Sequence, residues 1–402
     1  MNNLLSSNTP ASFWLCQAEL SEDQWRAAIQ RSIPILGLPS QPDDLDDLLF
    51  LVLGEGQFGP DHWQLSLLRR CYYLLKPVLP RPLVHRLRQL HSPSARTGFP
   101  LGWPIEDRYV RFQWEVMRQL LDITGQRSMY YQNFWPYGRQ FAFVLTHDVE
   151  TEEGQAYVRE VADLDESYGF HSSFNFVPER YQLDHGLIAD LRERGFEIGV
   201  HGLRHDGKLF LSETEFIRRV GPINGYLKEL GAVGFRSPLT MRNPEWMQAL
   251  EIEYDLSFFD TDPFEPMPGG TMSIWPFAIG RFIELPYTIA QDCTLTVVLG
   301  ETTPRLWLKK VDFIERYRGM VLVNTHPDYL SNPVIRKVYA EFLQAMQCRD
   351  GYWHALPRDV ARWWKERPTN ATGASDLILD LASIFNYDED LKPSGAPVVG
   401  IS

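Results

Sequence analysis

The chain has 402 residues, 44% hydrophobic and 23% charged, with a formal net charge of −13. This is enough apolar material for two or three domains with real cores, and it excludes a chain disordered throughout. The negative balance argues against nucleic acid as the main partner, and no run approaches the roughly 18 apolar residues of a membrane-spanning helix.

The four cysteines, Cys16, Cys71, Cys293 and Cys348, are scattered and show no CxxC spacing. They read as reduced thiols of a cytoplasmic protein, not as a disulfide frame. Met1 to Ser12 is polar and lacks the basic region and apolar core of a signal peptide. Ser21-Glu22-Asp23-Gln24 is a capping-box pattern and predicts a helix from Trp25 onward. Helical periodicity recurs from Trp63 to Leu90, interrupted by Pro77, Pro80 and Pro82. Residues 1–135 therefore read as a mostly helical N-terminal region. Between His62 and Ile105 there is no Asp or Glu, while Arg69, Arg70, Lys76, Arg81, Arg86, Arg88 and Arg96 are all basic. Two readings stand: a solvated basic face against an acidic domain, or a surface for an anionic membrane or a lipid-linked substrate.

From residue 136 to 366 short apolar runs alternate with helical stretches. Strands are expected at Phe141–Leu145, Ser172–Val177, Phe196–Val200, Ala232–Phe235, Leu256–Phe259, Phe282–Leu285, Met320–Val323 and Tyr352–Leu356. Helices are expected between them, opened by Ser212-Glu213-Thr214-Glu215, Asn243-Pro244, Thr303-Pro304, Asn332-Pro333 and Pro357. Alternating β and α units mean a parallel sheet, open or closed into a barrel. Residues 367–402 form a linker and tail. There Leu377, Ile378, Leu381, Ile384 and Phe385 share one helical face that docks on the domain or on a partner.

Polar residues follow the apolar runs in a consistent way. His147-Asp148-Val149-Glu150 follows the first, and His201 and His205 follow Phe196–Val200. Arg236-Ser237-Pro238, Asp260-Thr261-Asp262 and Asn324-Thr325-His326 follow three others. Functional groups of α/β sheets and barrels gather at the carboxyl ends of strands. Two imidazoles at i and i+4 on one helical turn can reach one ion. With a carboxylate they can hold Zn²⁺ with positions open for water and substrate. A second carboxylate can serve as base and a further His as acid.

In this order the motifs resemble those of the polysaccharide deacetylases, the carbohydrate esterases with the NodB-homology domain, over roughly residues 140 to 330. The resemblance implies an α/β fold, a distorted (β/α) barrel of seven or eight parallel strands with a mostly helical N-terminal extension. It implies one divalent metal ion, Zn²⁺ by preference, held by His201 and His205. Asp148 is then the base, Arg236 its partner, and His326 the acid. Asp262, or else Asp260, is the residue that holds His326. Val149 stands where the family has a second, metal-binding Asp, so Glu150 is the expected third ligand, with Asp148 the alternative. Gly202 replaces the usual Ser or Thr, and Pro263-Phe264 the usual Trp. Asn324 replaces an apolar residue and suggests a more polar acyl pocket. The implied activity is removal of N-acetyl or other acyl groups from a carbohydrate or glycolipid. Two other readings are an amide or imide hydrolase on a non-carbohydrate substrate, and a non-catalytic carbohydrate-binding module.

Overall fold

The structure, a computed structural model, describes residues 2–60, 62–63, 95–367 and 376–380. In the N-terminal region α1 (Glu22–Ser32) begins with the expected capping box: Ser21 accepts from Gln24 N–H, and the Gln24 side chain accepts from Ser21 N–H. Next come α2 (Leu45–Val52) and the long α3 (Arg108–Thr124). Val110, Val116, Met117, Leu120 and Leu121 of α3 are fully buried. Each contributes about 1.5–3 kcal/mol by leaving water. Gly125 ends α3 at φ +67°, donating to the Leu121 and Asp122 carbonyls. The chain then forms β1 (Ser128–Gln132).

The larger unit is built around β2 (Phe141–Val149), in which all nine residues are buried. Such an unbroken run is what a parallel strand covered on both faces requires. β3 (Ser173–Phe176), β4 (Glu197–Val200), β5 (Gly234–Phe235) and β6 (Tyr254–Asp255) follow β2 in parallel pairing order. β7 (Phe277–Ile279) runs antiparallel to β8 (Phe282–Glu284), which pairs with β6. β9 (Met320–Thr325) lies along β2. Beyond β8, Tyr287 bridges Phe259, and the N–H groups of Thr288 and Ile289 donate to Leu322 O at 3.2 and 3.3 Å. These bonds bring the sheet back to β9 and curl it into a barrel. β10 (Tyr352–His354) pairs with the start of β2.

Helices α4 (Val158–Ser167), α5 (His185–Glu193), α6 (Glu213–Glu229), α7 (Arg305–Arg316), α8 (Pro333–Gln347) and α9 (Pro357–Glu366) form the crossovers. Ser212 caps α6 by accepting from Glu215 N–H. Asn332 caps α8 by accepting from Val334 N–H. One continuous apolar cluster joins the N-terminal helices to the barrel. Trp14 meets Trp114 and Tyr131 edge-on, and Phe13 packs on Phe134 and Trp275. A buried ion pair adds a second joint. Arg242 donates through Nε and Nη2 to Glu55, its guanidinium lying over the Phe258 and Phe259 rings. Burial alone would raise the Glu55 pKa, but Arg242 and His62 hold it down at about 2.

Three expectations are corrected. The strand expected at Leu256–Phe259 is β6, two residues earlier. The tail segment 376–380 is β11 (Asp376–Asp380), antiparallel to β1, not a helix. A short aliphatic run fits either pattern, and the edge of β1 supplies backbone partners that decide it. His201 to Gly207 is a non-helical bend, because Gly202, His205 and Gly207 all lie at positive φ, +66°, +51° and +71°. The basic stretch lies mostly outside the described residues, which include only Arg96 of its seven cations. The tail beyond residue 380 lies outside them too. Among the described residues, no helix is long and apolar enough to cross a membrane. Cys16, Cys293 and Cys348 form no disulfide.

Candidate active site

Asp148 sits near the end of β2, buried at 2% exposure. Its Oδ1 accepts from Asn175 Nδ2 at 3.0 Å and from Arg236 Nη1 at 3.1 Å. Its Oδ2 accepts from Asn324 Nδ2 at 2.9 Å. Burial pushes the Asp148 pKa up, but Arg236, then His201 and His326, outweigh it and hold the carboxyl well below its usual range. Arg236, wholly buried, also donates from Nη1 to Asn324 Oδ1 at 2.5 Å and to Thr146 Oγ1 at 2.9 Å, and from Nε to Leu256 O at 2.9 Å. The four side chains form a cage that keeps Asp148 ionised and fixed.

Close packing around the site explains two sequence features. Gly199 has no side chain because a Cβ there would lie 2.0 Å from Asn175 Oδ1. Gly202 is required because a Cβ would meet Pro238 Cγ at 2.4 Å, and because its φ is left-handed. Asn324 does not line an acyl pocket through a spare amide, since both ends of that amide are engaged inside the cage. This corrects the expected role of Asn324.

Glu150, one residue past β2, shares a pocket with three imidazoles. Its Oε1 lies 3.0 Å from His205 Nε2, 3.8 Å from His201 Nε2 and 3.7 Å from His326 Nε2. Burial alone would raise Glu150, yet His205, His201 and His326 pull its pKa well down. The His201 Nδ1–H donates to Arg236 O at 3.1 Å, a bond that assigns the lone pair to Nε2. Nε2 of His201 and Nε2 of His205 are buried, and both face Glu150 Oε1. Burial lowers the pKa of His205 and so favours its neutral, ligating form, against the opposing pull of Glu150. Donor atoms of Glu150, His201 and His205 lie within 4.8 Å of one another. Two imidazoles and a carboxylate converging on one point fit a divalent cation, and this donor set suits Zn²⁺ better than Mg²⁺ or Ca²⁺. Both oxygens of Asp148 are engaged in the cage, and the carboxylate of this triad is Glu150.

His326 begins the turn after β9. Its Nδ1–H donates to Asp292 Oδ1 and its backbone N–H to Asp292 Oδ2, both at 2.8 Å. Burial lowers its pKa, but the charge and hydrogen bond of Asp292 prevail and lift it to about 10. The residue that holds His326 is therefore Asp292. Asp262 is the wrong partner: its carboxylate accepts from Phe264 N–H at 2.8 Å and Tyr287 O–H at 3.2 Å. Burial and then Glu265 raise Asp262 to about 8. Asp260 binds Lys310 Nζ at 2.7 Å. Both therefore organise the 260–272 loop. Asp292 follows the mostly apolar segment Leu285–Ala290 by one residue, a weaker form of the strand-end signal that marked the other groups. Asn175 inside β3 and Asn324 inside β9 carried the weaker signal of a lone amide in an apolar strand. His147 lies beside the site but turns away, its Nε2 2.9 Å from Asp165 and its ring on Phe174.

No family model and no curated protein matches this chain. Solved structures do. A polysaccharide deacetylase structure from Mycobacterium smegmatis is similar at 19% identity and TM-score 0.47, over 59% of this chain and 94% of that one. One from Pseudomonas aeruginosa PAO1 is similar at 18% identity and TM-score 0.48, over 59% and 95%. The Puue allantoinase is similar at 16% identity and TM-score 0.48, over 59% and 94%. Likeness at this level does not speak to activity. The solved structures to which this chain is similar thus include polysaccharide deacetylases, the family its motifs resemble.

Proposed function

We propose that this protein is a metal-dependent amide hydrolase that removes N-acyl groups, foremost N-acetyl, from a sugar unit of a polysaccharide or glycolipid. The observation that carries the reading is the set of three adjoining devices in one pocket. These are the Glu150–His201–His205 triad with two buried imidazole nitrogens facing one carboxylate, the caged Asp148–Arg236 pair, and the Asp292-bound His326 across from Glu150.

Glu150, His201 and His205 would hold a divalent ion, which would supply Lewis-acid polarisation of an acyl carbonyl and acidify a water toward neutral pH. Asp148 takes a proton. Its Oδ1 already accepts two hydrogen bonds while Oδ2 accepts one, so Oδ2 is the atom with capacity left. The cage costs Asp148 some basicity and in return keeps it ionised and aimed. Arg236 acts through Asp148 by fixing its orientation. His326 enters as the cation: Asp292 holds Nδ1–H, which leaves Nε2–H to protonate the departing amine, and a pKa near 10 keeps that proton in place at neutral pH. A pure binding module has no use for an ionised base, its orienting Arg and a protonated acid together.

The experiment is acetate and amine release by the metal-loaded protein across N-acetylated sugars, oligosaccharides and glycolipids, with small linear and cyclic amides alongside. Turnover confined to the sugars supports the proposal. Turnover confined to the small amides or imides replaces the substrate while keeping the chemistry. No turnover on any of them removes it.

A further inference from the structure

A second group of metal-binding donors adjoins the proposed catalytic centre. Asp292, Cys293 and His326 each present a ligand atom, and these lie within 4.8 Å of one another. The grouping follows from how the barrel closes. The extended segment around Thr288 and Ile289 bonds to β9, so the residues just after it meet the turn that follows β9. Asp292, wholly buried, is fixed there. It accepts from Cys293 N–H at 2.7 Å as well as from His326 twice. Cys293 is half-buried, with Sγ 4.0 Å from Gln291 Oε1. The donors are one thiol sulfur, one imidazole nitrogen and one carboxylate oxygen. The first centre has no sulfur.

We propose that Asp292, Cys293 and His326 form a second cation site, selective for Zn²⁺ or another thiophilic divalent ion, and that filling it silences the first centre. Thiolate with imidazole is a donor set for Zn²⁺, whereas Mg²⁺ and Ca²⁺ require oxygen. Binding forms bonds from the cation to the Cys293 sulfur, a His326 nitrogen and an Asp292 oxygen. The Cys293 S–H proton and one His326 N–H proton leave to solvent, and nothing is oxidised or reduced. The cation replaces the Nδ1–H bond to Asp292 that aims the His326 ring. Nε2–H then no longer lies in line for the proton-donor role assigned to it above. Inhibition rests on that assignment; occupancy of the site does not.

The test uses the full chain, freed of metal and titrated with Zn²⁺ and, in parallel, Co²⁺. Wild type is expected to bind two equivalents, and the second equivalent of Co²⁺ to bring a thiolate-to-cobalt charge-transfer band in the near ultraviolet. Cys293→Ala and Cys293→Ser should keep the first equivalent and lose the band. Their second equivalent should weaken by at least the roughly 10–100-fold that loss of a mere outer-sphere partner costs a metal site. Activity of wild type should fall as the second equivalent binds, while Cys293→Ala keeps its activity. A single equivalent in wild type overturns the proposal. So does a band that survives in Cys293→Ala, which would assign it to another cysteine. Equal inhibition of both proteins by excess Zn²⁺ overturns the silencing step. If no amide is turned over, the proposed function fails, while stoichiometry and the band still decide this site.

Discussion

Replacing Asn324 by Leu, a side chain of similar shape with no polar atoms, removes two charge-assisted hydrogen bonds from the cage at once, besides the longer one accepted from Thr146 Oγ1 at 3.3 Å. The Nδ2–H bond to Asp148 Oδ2 (2.9 Å) is lost, and so is the Oδ1 acceptor of Arg236 Nη1 (2.5 Å). Both involve a charged partner, and hydrogen bonds to charged groups are each worth about 1.5–3 kcal/mol. Asn324 is 1% exposed and Arg236 fully buried, so water cannot easily substitute. The expected loss is therefore about 3–6 kcal/mol, at the upper end of single-residue effects. Urea unfolding of the metal-loaded protein at neutral pH measures it. Turnover should fall as well, with metal content unchanged, because Asp148 loses its orientation and not the ion its ligands. A loss below about 1 kcal/mol with unchanged turnover would mean that the amide is not holding the Asp148–Arg236 pair, and the cage would be wrong.

Other outcomes follow from the same geometry. His205→Ala should lose the metal and chelation should abolish turnover, as metal analysis of the purified protein will show. Glu150→Gln should lower metal affinity with partial recovery in excess metal, while Asp148→Asn keeps its metal and turns over about 10²–10⁴-fold more slowly, the usual effect of a lost general base. Arg236→Ala should resemble Asp148→Asn; loss of metal in Asp148→Asn with a silent Glu150→Gln would exchange the two roles. The protonated form of His326 is the competent one, so turnover should hold until pH rises through about 10. In Asp292→Asn that alkaline fall should move toward the ordinary imidazole value of about 6.5, with Asp262→Asn leaving it in place. The same raised pKa makes the stability owed to this pair full below about 6.5 and lost as pH climbs through about 10, so Asp292→Asn should flatten that part of the stability profile. Glu55→Ala strands Arg242 as an unpaired buried charge and should cost about 3–5 kcal/mol in denaturant unfolding.

The barrel was legible because its strands are apolar runs bounded by strong helix starts. Ser212, Asn332 and Pro357 open helices where the sequence places them. Strand-end position marked the groups that converge, while the family resemblance supplied the pairing of Arg236 with Asp148 and Glu150 as the third member of the triad. What escaped depends on contacts distant in sequence. Asp292 reaches His326 over 34 residues, through a barrel seam that no periodicity marks. Asn175 and Asn324 converge on Asp148 from 27 and 176 residues away. The bend at His201–His205 was misread as helical because i,i+4 spacing does not reveal a His at φ +51°. The 376–380 strand was hidden because its partner, β1, lies some 250 residues earlier in the chain.

The most direct test of the account is turnover of an N-acetylated sugar as Zn²⁺ is added back to metal-free protein. The account predicts no activity without metal, a rise to a maximum at one equivalent bound by Glu150, His201 and His205, and a decline toward two. Full activity in the metal-free protein, or a rise that is the same in His205→Ala, would contradict it.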